Sequence, residues 1–317
     1  MTRLEGQDHT SAAASRTTSH DALYDQVATR SASVVIDAYS TSFGWACRLL
    51  GPDVRDHVRA VYAMARIADE IVDDIDADLD EPQRKSLLAE LDQEVADALV
   101  RGYSSNLVVH AFARTARRFG IGPELVDPFF DSMRTDLSVT EHDAESFATY
   151  VHGSAEVVGL MCLRIFVDGD DAAYDRLAPG ASRLGAAFQK VNFLRDLADD
   201  LDGRGRAYFP GTGGLSGAPG DGGQGDGGQG ELDDATRDAL CDDIDADLAA
   251  AAVAITRLPR SSRLAVRIAH DLFAELNRRL RATPAAELRS RRVRVPDPVK
   301  VRLALRAVAR ERLRRRS

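Results

Sequence analysis

The sequence predicts an all-α fold in which a single helical domain spans residues 21–317. Aromatic residues form only 6% of the chain, and Ala, Leu, Arg and Asp dominate its periodic segments, a composition that favours helices over strands. Apolar residues recur at intervals of three and four along most of the chain, and no segment alternates convincingly in the manner of a strand. The hydrophobic content of 44% is sufficient for a sizeable core, so we expect a bundle of helices packed around it.

The predicted elements follow one another between breaks at Gly and Pro. Residues 1–20 are rich in Thr, Ser, His and Ala and predict a disordered N-terminal arm. Helical patterning starts near Ala22 and runs to a break at Gly51-Pro52. Further helices are expected at 53–75, 83–101, 105–119, 123–138, 147–167, 176–201, 232–257, 260–282 and 298–314.

A glycine-rich stretch at 211–230 interrupts the helical pattern. Eleven of its 20 residues are Gly, which predicts a flexible linker or an expanded loop inserted in the domain. A phosphate-binding loop would end in Gly-Lys-Ser/Thr, and no such sequence follows here.

Two aspartate pairs at helical spacing are the main functional signal in the chain. Asp69 and Asp73 lie four residues apart, and Asp196 and Asp200 repeat that step about 125 residues later. Each pair projects two carboxylates from one helix face, where the like charges repel each other. Mg²⁺ binds one or two carboxylates together with phosphate oxygens and water. Two facing acidic helices are therefore suited to a diphosphate that is held through several Mg²⁺ ions.

An acidic helix face is more often a solvated surface than a ligand site, and this alternative applies to either pair alone. However, Arg66 lies one turn before Asp69. Gln189, Asn192 and Asp196 also follow one another at helical spacing in an otherwise apolar segment. Because buried polar groups need partners, this stripe favours a buried face that binds a ligand.

Cysteine usage and hydropathy argue against several classes of protein. Cys47, Cys162 and Cys241 are far apart and show no CxxC or Cys/His spacing, so a disulfide scaffold or a zinc site is not expected. Residues 1–20 contain no apolar signal core, and no run of 18 apolar residues occurs. We therefore expect a cytoplasmic protein with reduced cysteines.

Charge is distributed unevenly along the chain, whose net charge is −9. Residues 281–317 hold twelve arginines and Lys300 against three acidic residues, so this basic C-terminal tail carries +10 and the remainder −19. No basic patch is interleaved with aromatic residues, so nucleic acid is not an expected partner. The tail is suited to anionic lipid or phosphate, and we expect peripheral contact with lipid at the inner face of the membrane.

Several segments, taken in order, carry a resemblance to a known family. The most specific are the two aspartate motifs, which run from Tyr62 to Asp74 and from Gln189 to Asp200. The others are Ser40-Thr-Ser42-Phe43, the helix from Tyr150 to Met161, the loop Gly205-Arg206-Ala-Tyr208-Phe-Pro210 and the segment Arg292-Val-Arg294-Val-Pro296 with Lys300. Together, from about residue 40 to 300, they resemble the squalene/phytoene synthase family.

The resemblance implies an isoprenoid synthase fold with one central cavity, and it assigns roles to residues by position. Asp69, Asp73, Asp196 and Asp200 would bind Mg²⁺ with the help of Asn192, and these five with Tyr150 would form the catalytic set. Tyr62, Arg66, Arg292 and Lys300 would contact diphosphate oxygens. Ser40, Ser42, Gln189 and Arg195 would shape the substrate site together with Tyr150. The spacing to Arg206 leaves Asp199 as an alternative to Asp200.

The resemblance also implies a reaction, namely the Mg²⁺-dependent head-to-head condensation of two prenyl diphosphates. Two geranylgeranyl diphosphates would yield phytoene through a cyclopropyl diphosphate, and no NADPH would be needed. One alternative is formation of squalene or a C30 dehydrosqualene from farnesyl diphosphate. Another is a non-catalytic scaffold that assembles on membranes.

Several small residues lead to two further expectations about the cavity. Gly159, Gly185, Ala186 and Ala187 are candidates for its apolar wall, which would keep water away from cationic intermediates. Cys47 lies one turn beyond the Ser40–Phe43 segment and either borders the cavity or packs in the core.

Overall fold

A computed structural model describes residues 8–39, 41–73, 79–139, 142–197, 209 and 232–314, with only the backbone described at 8–21, 41–43 and 45. These residues contain helices and no strand, which confirms the predicted all-α class. The α-helices are α1 (Asp8–Tyr39), α2 (Thr41–Arg48), α3 (Pro52–Asp73), α4 (Glu81–Arg101), α5 (Leu107–Phe119), α6 (Pro123–Asp136), α7 (Ala144–Val151), α8 (Val157–Phe166), α9 (Asp171–Arg195), α10 (Asp234–Ile255), α11 (Arg260–Arg281), α12 (Ala285–Leu288) and α13 (Asp297–Arg314).

Local sequence signals set several of the helix ends. Asp80 caps α4 by accepting a hydrogen bond from the backbone N–H of Gln83, whose side chain in turn accepts one from the backbone of Asp80. The helix ends at Gly102, whose φ of 77° is in the left-handed region that favours glycine. Asn106 caps α5 in a similar way, and Asp170 caps α9. The capped helices α4 and α5 begin within about two residues of their predicted starts, whereas α9 begins five residues before its predicted start.

Two apolar clusters form the core of the bundle. The first contains Phe112, Phe129 and Met64 and is built mainly from α3, α4, α5, α6 and α8. The second contains Leu194 and Ile244 and is built mainly from α7, α9, α10 and α11. The helices α3 and α9, which carry the two acidic motifs, therefore belong to different halves of the core. α13 packs mainly on α11, and its Val299 also contacts the second cluster.

A five-residue π-helical turn, His152–Glu156, joins α7 to α8 and is tightly enclosed. At Gly153, a Cβ atom would lie 2.1 Å from the carbonyl oxygen of Pro128 in α6. At Gly185 of α9, a Cβ atom would lie 2.6 Å from the carbonyl oxygen of Ala155. Because real Cβ atoms do not approach other atoms so closely, only glycine allows α6 and α9 to pack against this turn.

Gly159 and Gly185, which are expected to line the cavity, lie at close helix contacts and are not among the residues that line the pocket described below. A Cβ at Gly159 would lie 3.0 Å from the carbonyl oxygen of Ala181, so both glycines provide close contact between α9 and the helix that packs against it. Ala186 and Ala187 are buried in the second apolar cluster and do not line the pocket described below. The reason is that small residues serve helix packing as readily as they serve a cavity wall.

Several helix ends differ from the prediction, and α9 begins at Asp171 rather than at residue 176. α1 begins at Asp8, within the predicted arm of 1–20, and the run Ala12–Ala14 has the high helix propensity that accounts for this. α9 ends at Arg195 because Asp196, with φ of −97° and ψ of 9°, leaves the helical conformation. The glycine-rich stretch 211–230 lies outside the described residues, so its role as an insertion stays a prediction. No helix within the described ranges is long and apolar enough to cross a membrane.

Candidate active site

A pocket with a volume of about 170 Å³ lies where the two halves of the core meet. Val72 and Met133 of the first apolar cluster form part of its wall, and Tyr150 and Phe193 of the second form another part. Its remaining lining is polar and comes from four elements: Asp69 and Asp73 of α3, Asp136 of α6, Ser154 of the π turn, and Gln189, Asn192 and Asp196 of α9 and its end. Asp69 and Asp73 of the first acidic motif therefore face the same pocket as Asn192 and Asp196 of the second.

On the α3 side, Asp69 is in an unfavourable environment for a carboxylate. Burial, followed by the negative charge of Asp73 one turn away, raises the pKa of Asp69 to about 7 from its ordinary value of 3.8. The guanidinium of Arg66 acts in the opposite direction and does not compensate. A site whose carboxylates repel each other in this way is suited to a bound cation.

On the α9 side, three polar side chains follow one another at helical spacing and reach the same wall. Gln189 and Asn192 lie on the last turns of α9, and Asp196 follows at its C-terminal cap. Arg195 forms an ion pair with Asp196. Arg292 forms a second one, its Nε lying 2.8 Å from Oδ1 of Asp196. The segment between α12 and α13 thus brings a cation to the second acidic motif.

Tyr150 is held at the pocket by a residue that the sequence analysis missed. Its hydroxyl donates a hydrogen bond of 2.8 Å to Oδ2 of Asp136, and both side chains are almost completely buried. Asp136 also contributes to the raised pKa of Asp69 through its negative charge. In the sequence, Asp136 has no acidic residue at helical spacing in the pattern of the two motifs, so no local signal could identify it. Ser154 is the second polar residue that was missed.

Other predicted site residues do not line the pocket in this structure. Arg66 forms an ion pair with Glu70, and its guanidinium lies 4.5 Å from the centre of the Tyr39 ring. Tyr62 is half-buried against the first apolar cluster. Lys300 donates a hydrogen bond of 3.0 Å to Asp297.

Some predicted residues have no described geometry. Ser40, Asp199 and Asp200 lie outside the described residues, as does the side chain of Ser42. The functional roles of all of these site residues therefore stay predictions. Asp69, Asp73, Tyr150, Gln189, Asn192 and Asp196 are the ones that the structure brings together at one pocket, with Arg195 and Arg292 paired to Asp196.

The donor set fits Mg²⁺ only when the metal is shared with a ligand. In the described part of the chain, no three His, Cys, Asp or Glu side chains converge closely enough to hold a metal by themselves. Mg²⁺ is seldom held by an all-protein cage and usually retains water and phosphate oxygens. The carboxylates on opposite walls, together with the raised pKa of Asp69, therefore fit cations that bridge the protein to an anionic ligand.

Comparison with known proteins gives a consistent result. A family model described as squalene/phytoene synthase matches residues 36–298. A 15-cis-phytoene synthase of Paracoccus sp. is 30% identical over 181 residues, which cover 54% of this chain and 56% of that protein. A presqualene diphosphate synthase of Rhodopseudomonas palustris is 32% identical over 181 residues, which cover 55% of this chain and 59% of that protein. The match spans about half the length of these curated relatives.

Solved structures share the fold at lower sequence identity. A dehydrosqualene synthase in complex with a ligand superimposes with a TM-score of 0.72 at 18% identity, covering 91% of this chain and 98% of that one. A squalene synthase from Alicyclobacillus acidocaldarius superimposes with a TM-score of 0.67 at 18% identity, covering 83% of this chain and 97% of that one. The all-helical architecture is therefore shared with both proteins.

Proposed function

Because the chain belongs to the squalene/phytoene synthase family, we propose that it condenses two geranylgeranyl diphosphates head to head to form phytoene. The observation that carries this proposal is the pocket in which Asp69 and Asp73 of α3 face Asn192 of α9 and Asp196 at its C-terminal cap. Relatives named phytoene synthase in Paracoccus sp. and Mycobacterium tuberculosis support the choice of product.

The protein would hold its metal ions from both sides of the pocket. Asp69 and Asp73 would ligate Mg²⁺ from α3, and Asp196 with Asn192 would do so from α9, joined by Asp200 or Asp199. Bound Mg²⁺ supplies Lewis-acid stabilisation of the negative charge on a departing diphosphate. The guanidinium of Arg292, already at Asp196, adds positive charge at the same wall.

The organic steps would proceed in two stages. Loss of diphosphate from one substrate leaves an allylic cation, which the double bond of the second substrate attacks to form a cyclopropyl diphosphate and release a proton. Ionisation of that intermediate releases the second diphosphate, and rearrangement with loss of another proton gives the product. The aromatic rings of Tyr150 and Phe193 at the pocket wall would help to exclude water from these cations. The hydrogen bond to Asp136 holds Tyr150 in place for this role.

The experiment that tests the proposal is product analysis with pure substrates. The protein is incubated with Mg²⁺ and either the C20 or the C15 diphosphate, with and without NADPH, and the hydrocarbons are identified by mass spectrometry. Phytoene from the C20 substrate without NADPH is expected. Squalene or dehydrosqualene as the main product would assign the C30 reaction, an alternative that the likeness to the Rhodopseudomonas palustris protein supports. Absence of both a hydrocarbon and a cyclopropyl diphosphate among the products would favour the non-catalytic scaffold.

Membrane contact is a further part of the proposal, and α13 is the element that supports it. Val301, Leu305 and Leu313 on this helix are 53%, 65% and 67% exposed. Arg302 and Arg306 are exposed on the same helix. A helix that exposes both apolar side chains and arginines is suited to the surface of an anionic bilayer, where the long prenyl substrates partition.

A further inference from the structure

Ser154 of the π turn His152–Glu156 lines the pocket, and its hydroxyl group is bound by no other group in the described part of the chain. The Oγ atom of this residue is buried and has no hydrogen-bond partner among the residues that the structure describes. Buried hydroxyls are hydrogen-bonded in most native structures, and one without a partner carries a desolvation cost. A partner that arrives with the substrate would remove that cost.

The surrounding structure holds Ser154 in this position. The backbone N–H of Val157 donates to the carbonyl of His152, which is the i to i+5 bond of a π turn. Ser132 of α6 donates a hydrogen bond of 3.2 Å to the carbonyl oxygen of Tyr150, just before the turn. The close contacts of Gly153 with α6 and of Gly185 with the turn enclose it from two sides. The backbone of the turn is therefore held at the pocket wall, which fixes the position of the Ser154 Cα.

The chemistry of the pocket indicates what this hydroxyl binds. The wall is rich in carboxylates, which accept hydrogen bonds and repel an anion. Besides Mg²⁺ and Arg292, neutral donors can bind phosphate oxygens at such a wall, and among these the hydroxyl of Tyr150 already donates to Asp136. A hydroxyl that faced only a hydrocarbon chain would stay without a partner, whereas an oxygen of a diphosphate would accept its proton.

We propose that the Ser154 hydroxyl donates a hydrogen bond to an oxygen of the Mg²⁺-bound diphosphate group of the substrate. This role rests on the proposed function, because it requires a diphosphate in the pocket. The proposed hydrogen bond makes Ser154 a substrate-binding residue outside both aspartate motifs. It also gives the π turn a function in addition to joining α7 and α8.

The test measures binding separately from turnover. Affinity for inorganic pyrophosphate in the presence of Mg²⁺ is measured by calorimetry for the wild type, Ser154→Ala and Ser262→Ala. Ser262 is the matched control, because it is fully buried on α11 and its hydroxyl donates to the carbonyl of Pro259. We expect Ser154→Ala to weaken pyrophosphate binding about 10- to 100-fold, the range for one hydrogen bond to a charged group, with Tm unchanged or raised. Ser262→Ala should lower Tm and leave pyrophosphate affinity unchanged.

Other results would overturn the inference. If Ser154→Ala bound pyrophosphate as tightly as the wild type, the hydroxyl would not contact the diphosphate. If its Tm were lowered as well, the hydroxyl would serve packing instead. If instead the wild type itself fails to bind Mg²⁺-pyrophosphate, the proposed function fails together with the inference. Wild-type binding with an unaffected Ser154→Ala variant would refute the inference alone.

Discussion

Replacement of Asp69 by Asn should stabilise the metal-free protein while it removes activity. The pKa of Asp69 is raised from 3.8 to about 7, chiefly by burial and then by the charge of Asp73. This difference of about 3 corresponds to roughly 4 kcal/mol at 1.36 kcal/mol per pKa unit. Because neighbouring groups relax when one charge is removed, the value is an upper limit for the gain in stability.

The sign of this effect follows from the protonation of the two states. Below about pH 4, Asp69 is protonated in both the folded and the unfolded chain, so its ionisation contributes nothing. Between about pH 4 and 7 the unfolded chain loses the proton first, so the free energy of unfolding falls as the pH rises. Above pH 7 Asp69 is ionised in the folded protein too, so the full free-energy cost of placing its negative charge in this environment lowers the stability. The stability difference between Asp69→Asn and the wild type should therefore be small near pH 4 and largest near pH 8.

The assay is urea denaturation of both proteins in EDTA at a series of pH values, with turnover measured separately in Mg²⁺. We expect Asp69→Asn to unfold at higher urea concentrations at pH 8 and to lose at least about 100-fold in turnover, since it removes charge that would bind the metal–diphosphate group. Asp127→Asn is the control, because Asp127 is exposed on α6 and outside the pocket. It should change neither quantity appreciably. Equal stability of wild type and Asp69→Asn at all pH values would refute the reasoning about burial, and full turnover would refute the role of Asp69.

Three further predictions concern regions outside the acidic pocket. Deletion of residues 213–228 should leave most of the turnover intact, because the entropic cost of closing a loop depends weakly on its length. Loss of turnover with an intact fold would show that the stretch contributes to the active site. The double variant Leu305→Ser/Leu313→Ser should bind anionic liposomes less tightly in a sedimentation assay but turn over detergent-solubilised substrate normally. The control is Leu23→Ser, because Leu23 is exposed on α1, and this variant should sediment with liposomes like the wild type. Cys47 is only 2% exposed and packs in the first apolar cluster, so Cys47→Phe should cost about 1–3 kcal/mol of stability without changing the ratio of kcat/KM for C15 and C20 substrates. A changed ratio at an unchanged Tm would instead place Cys47 at the cavity.

The sequence by itself determined the helical class, most helix boundaries and the two acidic faces. These features depend on contacts between residues a few positions apart. The step of four from Asp69 to Asp73 places both carboxylates on one helix face whatever surrounds that helix. Apolar periodicity and capping residues such as Asp80 and Asn106 likewise act within one or two turns. The family assignment rested on the same local motifs, since their residues and order are read directly from the chain.

Local signals were less reliable where a distant part of the chain decides the outcome. Gly159 and Gly185 are small residues of the kind expected in a cavity wall. In the structure they lie where α9 makes close contacts with neighbouring helix backbone. The predicted continuation of α9 to Leu201 did not account for its end at Arg195. For the glycines, the pattern is compatible with two arrangements, and the contacts with neighbouring helices select between them.

Only the tertiary structure identified the residues that complete the pocket. Asp136 and Ser154 carry no motif of their own, and they reach the site because α6 and the π turn pack beside α3 and α9. The ion pair between Arg292 and Asp196 joins residues almost a hundred positions apart in the sequence. Burial and the approach of other charges set the pKa of Asp69 in the same way. These properties depend on distances between chain segments that helical periodicity does not specify, and so they were decided when the two halves of the core came together.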